Sequence, residues 1–263
     1  MKILFIGDIV GRGGRKAVAE LLPRVREERG IDFSLANGEN AAGGTGITPK
    51  IMNQLFSDGV DIITSGNHLW DKKEIIPVLD KEKRLLRPAN YPPGVPGFGS
   101  TVAETESGLK IGIINLSGRV FMPALDCPFR TAEREIKKLR KETLLIIVDI
   151  HAEATSEKIA MGWFLDGRVS AVVGTHTHVQ TADEVILPQG TAYITDIGMT
   201  ASAKSVIGVK TDLILRRFLT QVPVRFEPAE EDIRLSAVVL DLNPATGKAN
   251  SIERIRMKLE EVQ

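Results

Sequence analysis

The chain has 263 residues, room for one large α/β domain or two small ones. Its 34 Lys and Arg balance 34 Asp and Glu, and the resulting net charge of zero excludes the broad basic face that sequence-independent binding of extended nucleic acid requires. With 43% hydrophobic and 26% charged residues the composition excludes disorder as the main state, and the longest purely aliphatic run, Leu144 to Val148, falls far short of the roughly 20 residues that span a bilayer.

The opening Met1-Lys2-Ile3-Leu4-Phe5-Ile6-Gly7-Asp8 sets an acid directly after a short apolar run and offers no small-residue cleavage site. It predicts a core strand over 2–7 rather than a signal peptide. Gly11-Arg12-Gly13-Gly14-Arg15-Lys16 matches no phosphate-loop spacing and reads as the turn into a helix over 15–29. That helix carries Val18, Leu21, Leu22 and Val25 at helical spacing, should bend at Pro23, and stops at Gly30. Strands follow over 32–36, 61–65, 109–115, 144–150 and 169–174. Thr48-Pro49 opens a second helix, Asp71 with Glu74 three residues on resembles the capping box of a third, and a fourth covers 156–165. The proline- and glycine-rich segment 87–99 reads as a fixed irregular loop. Near the end, strand-like runs over 233–243 and 252–259 flank Asn243-Pro244-Ala245-Thr246-Gly247, a turn signal, and predict an antiparallel hairpin that closes the fold. Short strands alternating with helices indicate βαβ units feeding a largely parallel sheet. Cys127 stands alone, which excludes an intrachain disulfide and, with the absence of a leader, predicts a cytoplasmic protein.

Open α/β sheets bind ligands at the carboxyl ends of their strands, and five of these strand ends carry metal-ligating residue types. Asp8 follows the first strand, Asn37-Gly38-Glu39-Asn40 the second and Gly66-Asn67-His68 the third. His151 follows 144–150, and Gly174-Thr175-His176-Thr177-His178 follows 169–174. All four histidines of the chain lie in these positions. In an extended segment His176 and His178 would project to one side. Each residue alone has an ordinary reading as a cap, a turn residue or a loop charge. Together Asp8, Glu39, Asn40, Asn67, His151, His176 and His178, with His68 in reserve, are too many ligands for one tetrahedral zinc, and two ions are implied. Oxygen and imidazole donors without thiolate suit iron or manganese, with zinc or cobalt as alternatives. Two divalent ions would leave a net positive centre that favours a phosphate-bearing substrate. Arg119 is read either as a phosphate contact or as a surface ion pair, and Asp149 and Asp196 either as groups that orient ligand imidazoles from behind or as plain loop or strand-end residues. The glycine-rich segment 41–46 lies beside the ligands, either as a mobile substrate gate or as a plain turn.

In this order, Asp8, Gly66-Asn67-His68, His151 and Gly174-Thr175-His176-Thr177-His178 resemble the calcineurin-like dinuclear metallophosphoesterases. Two positions depart from that pattern: Val10 stands where the superfamily has the histidine of Asp-x-His, and Glu39 replaces its bridging aspartate. With His151-Ala152-Glu153-Ala154-Thr155-Ser156-Glu157-Lys158 and Gly118-Arg119-Val120-Phe121-Met122, these departures are similar to the YmdB-like bacterial phosphodiesterases. The resemblance implies one α/β domain over residues 1–263, a two-sheet sandwich flanked by helices (αββα). It also implies that Glu39 bridges both ions, that Asp8 and His178 with Asn40 nearby complete one site, and that Asn67, His151 and His176 complete the other. The implied reaction is attack on phosphorus by a hydroxide between the ions, with His68 as the acid. The implied partner is a small phosphodiester or nucleotide, 2′,3′-cyclic nucleotides included, with no extended nucleic acid and no membrane; a homo-oligomer stays open. A phosphomonoesterase of the same fold, a dinuclear amidohydrolase and a nucleotide-binding module without turnover are the alternatives.

Overall fold

The computed structural model describes residues 1–260. In chain order its elements are β1 (Lys2–Ile6), β2 (Asp8–Ile9), α1 (Gly11–Arg29), β3 (Phe33–Asn37), α2 (Pro49–Ser57), β4 (Ile62–Thr64), α3 (Ile76–Leu79), β5 (Ser100–Glu104) and β6 (Lys110–Ser117). There follow α4 (Pro128–Leu139), β7 (Ile146–His151), α5 (Thr155–Leu165), β8 (Ala171–Thr175), β9 (Val185–Ile186), β10 (Ala192–Ile194), β11 (Met199–Ser202), α6 (Thr211–Thr220), β12 (Ile233–Leu242) and β13 (Ala249–Lys258). One sheet runs β2-β11-β12-β1-β3-β4, with β13 on the free side of β12, and the other runs β5-β6-β7-β8-β10-β9. Both are mixed: β1, β3 and β4 are parallel, as are β6, β7, β8 and β10, whereas β12 and β13 form the antiparallel hairpin.

Strand periodicity assigns the layers. Ile3 and Phe5 of β1 meet Phe33, Leu35, Ile113, Ile147, Val173 and Val238 between the sheets. Leu4 and Ile6 turn the other way, onto Val18, Leu21 and Leu22 of α1. On the far side Ile146, Val148 and Ile150 pack under Ala132 and Ile136 of α4 and Met161 and Leu165 of α5. Helix, sheet, sheet and helix therefore stack in the αββα order that the resemblance implies.

The same periodicity makes the site. The inward rows of the strands are apolar through the middle of the sandwich but end, at the carboxyl edge, in Asn37 on β3, Thr64 on β4, Asn115 on β6, Asp149 and His151 on β7, and Thr175 on β8. All six are fully buried, so the interior changes from hydrocarbon to a hydrogen-bonded polar cap without a change of face.

Several elements differ from the sequence reading. The first helix begins at Gly11, so the glycines are its opening turn; a Cβ on Gly14 would stand 2.2 Å from the Thr200 carbonyl, and only glycine lets α1 start against β11. The helix passes through Pro23 and ends at Gly30 (φ 63), as expected. No regular helix starts at Asp71: two 3₁₀ turns precede the four-residue α3, and the Asp71 carboxylate is taken by His68 instead of a helix N-terminus. β7 and β8 run one residue past the predicted strands, which places His151 inside its strand. The segment 87–99 is irregular and fixed, with the Arg87 guanidinium donating to the carbonyls of Pro88, Val95 and Pro96.

Candidate metal centre

His151 Nε2 is the focus. It lies 3.0 Å from Glu39 Oε1, 3.0 Å from His176 Nδ1 and 3.2 Å from Asn67 Oδ1. One ring nitrogen carries at most one proton and cannot serve three acceptors, whereas a cation among them can. Glu39, His151 and His176 each bring a ligand atom within 4.8 Å of the others. Beside this group is a second. His178 Nε2 lies 3.7 Å from Asp8 Oδ1 and 3.2 Å from Asn40 Nδ2, so Asn40 presents its amide nitrogen to the ring. Asp8 Oδ2 accepts the His176 N–H at 3.3 Å and ties the two groups together.

Two carboxylate oxygens test whether metal ions fit. Asp8 Oδ1 and Glu39 Oε1 are buried and accept no hydrogen bond from any described residue, a costly state for a carboxylate that a cation would relieve. Gly66 gives a second test, because a Cβ there would sit 2.1 Å from His151 Cδ2; the backbone is cut back to seat that ring. The donor set, oxygen and imidazole without sulfur, suits divalent transition metals.

Each of the four imidazoles has one nitrogen committed elsewhere. His151 Nδ1 donates to Thr175 Oγ1 (2.9 Å), whose hydroxyl donates to Asp149 Oδ1 (2.8 Å), while Thr64 Oγ1 from the opposite sheet donates to Asp149 Oδ2 (2.5 Å). His176 Nε2 faces Glu153 at 3.1 Å, and His178 Nδ1 donates to the Ile207 carbonyl at 2.9 Å. His68 Nδ1 meets Asp71 at 3.0 Å, and the His68 N–H binds Glu39 Oε2 at 2.9 Å. Such partners fix ring orientation and leave the other nitrogen available.

Electrostatics follow burial and proximity. Burial opposes the Glu39 charge, but the His151 ring outweighs it and brings the carboxyl down to about 2. Burial likewise disfavours protonation of His151, yet Glu39 raises its pKa to about 9. Burial and the charge on His151 lower His176 to about 3. Burial raises Asp8, and holds Asp149 at about 7.

All eight predicted site residues meet at this edge. The segment carrying His176 and His178 is not extended: β8 stops at Thr175, and both histidines take positive φ, 97° and 65°, a strained backbone that aims their rings. Asp196 binds no imidazole. It pairs with Lys158 at 2.7 Å, both fully buried, and accepts the N–H and hydroxyl of Thr177, so it shapes the turn between the two histidines. Asp149 does act on a ligand ring, through Thr175. Arg119 is exposed, and Glu157 holds its backbone N–H. Asp71, Thr175, Glu153 and Ile207 were not singled out by sequence reasoning as partners of the histidines. Asp71 alone left a signal there, as a carboxylate three residues from His68.

The groups open into a cavity of about 410 Å³ lined on one side by Glu39, Asn40, His68, His176 and His178 and on the other by Val10, Ile207, Val209, Ile214, Phe226 and Pro228. Gly43, Gly44 and Thr45 also line it, and backbone bonds from Gly11 and Gly44 to the Asn40 carbonyl hold that segment.

An αββα sandwich with paired carboxylate and imidazole clusters at the carboxyl edge of its strands defines a metallophosphoesterase. Residues 4–255 match the YmdB-like protein family, and the chain belongs to it. It is 52% identical over 255 residues to a 2′,3′-cyclic-nucleotide 2′-phosphodiesterase of Bacillus subtilis, covering 97% of this chain and 96% of that protein. Among solved structures it is similar to a hypothetical protein from Thermus thermophilus (TM-score 0.92, 42% identity, 98% and 99% of the two chains). It is also similar to a novel phosphatase of Mycoplasma pneumoniae (TM-score 0.91, 36% identity, 98% and 93%).

Proposed function

We propose that this chain, as one metallophosphoesterase domain, is a metal-dependent phosphodiesterase that hydrolyses small phosphodiesters, 2′,3′-cyclic nucleotides among them. The observation that carries this reading is the convergence of Glu39, Asn67 and His176 on one nitrogen of His151, beside buried carboxylate oxygens that lack donors. Asn67, His151 and His176 would hold one ion and Asp8 and His178 a second, with Asn40 beside it, able to ligate once its amide oxygen turns toward the ion, and with Glu39 shared. Iron or manganese suits these donors, with zinc or cobalt as alternatives. Bound there, such ions supply Lewis-acid neutralisation of the phosphoryl charge and activation of water at neutral pH.

The chain's own residues supply the rest. Opening a 2′,3′-cyclic phosphate breaks one P–O bond to the ribose, and the departing alkoxide needs a proton. His68 would give it: Asp71 occupies Nδ1, and the residue lines the cavity, so Nε2 is left to carry that proton. The Glu39 carboxylate, by accepting the His68 N–H, sets that residue against the ligand cluster. Glu153 and the Ile207 carbonyl keep His176 and His178 in the required orientation. A proton donor so placed favours turnover over mere nucleotide binding, and a cytoplasmic setting agrees with the unpaired Cys127.

The test is metal analysis of anaerobically purified protein together with its rate on a 2′,3′-cyclic nucleotide. About two ions per chain and loss of the rate on chelation are expected. A metal-free preparation with full activity would overturn the reading.

A further inference from the structure

The cavity's second wall is unexplained by phosphate chemistry. Ile207 and Phe226 are 52% and 48% exposed, and with Val10, Val209, Ile214 and Pro228 they supply the apolar lining of the cavity that the ligand clusters also line. No Lys or Arg lines this cavity among the described residues. Of its acids beyond the ligand clusters, Glu227 is paired with Lys210 and Glu153 with His176. Nothing is thus placed to hold a second phosphate, and an apolar, flat group is what the wall can bind.

The wall is also fixed at a conformational cost. Val206 and Val209 exchange both backbone hydrogen bonds around Ile207 and Gly208, whose φ values are 45° and 97°, the pairing of a type I′ hairpin turn. Asn or Gly normally fills the first of these positions; a β-branched residue at positive φ is an outlier. Residues 227–229 are strapped alongside through Lys210 N–H to the Glu227 carbonyl (3.0 Å) and Ala229 N–H to the Gly208 carbonyl (2.8 Å). The carbonyl of Ile207 orients His178, a task that any residue's backbone performs, so the isoleucine side chain needs a separate reason.

We infer that Ile207 and Phe226 form the nucleobase subsite of a mononucleotide substrate, the base lying on the Phe226 ring and the Ile207 side chain while its single phosphate meets the ligand clusters. This rests on the phosphodiesterase reading and narrows it to substrates bearing one base and one phosphate. Stacking on an aromatic ring is tolerant of base identity, so purine and pyrimidine cyclic nucleotides should both be accepted.

The experiment compares 2′,3′-cyclic AMP with ribose 2′,3′-cyclic phosphate, which lacks the base, and measures adenosine binding by calorimetry. In Phe226→Ala the ratio of kcat/KM for the nucleotide to that for the base-free substrate should fall by about five- to 150-fold, and the Kd of adenosine should rise by a similar factor. Phe226→Trp should restore both. Ile207→Asn, which suits the turn and keeps the carbonyl, should raise Tm and lower the same ratio. Should Phe226→Ala fail to fold, Phe226→Leu removes the ring while keeping apolar volume and must still lower the ratio. Equal effects on the two substrates in the folded variants would overturn the subsite. If the parent turns over neither substrate, the phosphodiesterase reading fails, and adenosine binding then decides the subsite alone: weaker binding in Phe226→Ala supports it and equal binding overturns it.

Discussion

His176 and His178 are two residues apart, yet they serve groups built in different ways. The group around His151 rests on the core: that ring is fully buried, and its second nitrogen is held through Thr175 and Asp149 to Thr64 on the opposite sheet. Disturbing it means disturbing the interface between two sheets. The group around Asp8 and His178 borders the cavity, and its imidazole is held by one carbonyl in the excursion between β11 and β12. Its geometry is only as stable as that excursion, whose helix α6 buries Ile214 and leaves Leu215, Phe218 and Leu219 exposed. On the proposed assignment, a preorganised half and a more adaptable half share Glu39.

Glu39→Gln attacks what the halves share and should have the largest effect. Both ions should be lost and the rate should fall by about 10³-fold or more, the scale of several kcal/mol of metal-ion stabilisation. Metal stoichiometry checks it, and retention of both ions would contradict the shared assignment. Next is His68→Ala, which should leave metal content intact while lowering kcat by about 10²- to 10⁴-fold on cyclic nucleotides, and less on substrates with a p-nitrophenolate leaving group. An equal, small loss on both substrates with a lowered Tm would reduce His68 to a packing residue. Thr175→Val cuts the link behind His151 and should weaken metal affinity about 10- to 100-fold in one site only. Matched losses in both sites would show that the halves do not differ. The smallest effect is kinetic: on dilute chelator one ion should leave before the other, the early one from the Asp8 and His178 group, so His178→Ala should abolish the fast phase.

Ligand types and their delivery to strand ends were legible because strand alternation and turn chemistry are local. What went unread had physical causes. α4 turns Glu135 inward, where Ser100, Arg134 and Lys138 satisfy it, and this acid breaks the apolar stripe that marks a helix. α6 keeps most of its apolar residues outside, so its spacing points to no core. β2 has two residues and is held by pairing to β11, more than 180 positions away, which no periodicity reveals. Asp71 and Glu74 do match a capping box, but the Asp71 carboxylate is taken by the imidazole of His68, three residues upstream, and the chain there makes a 3₁₀ turn instead.

The sequence by itself determined which strand residues share a face and which metal-ligating residue types stand at the strand ends. Residues two apart on a strand point the same way, and the row ending in His151 continues the row of Leu145 and Ile147, while the αββα layering followed from the family resemblance. Tertiary structure alone decided which nitrogen of His151, His176 and His178 is free; for His68 the nearby Asp71 settles it. Thr175, Glu153 and the Ile207 carbonyl come from separate segments, and the sign of φ at His176 and His178 follows from the turn that Asp196 and Lys158 clamp, not from any preference of histidine. Partners distant along the chain are chosen by proximity in space, and a strained backbone persists only where neighbouring elements hold it, so neither of these is written in local spacing.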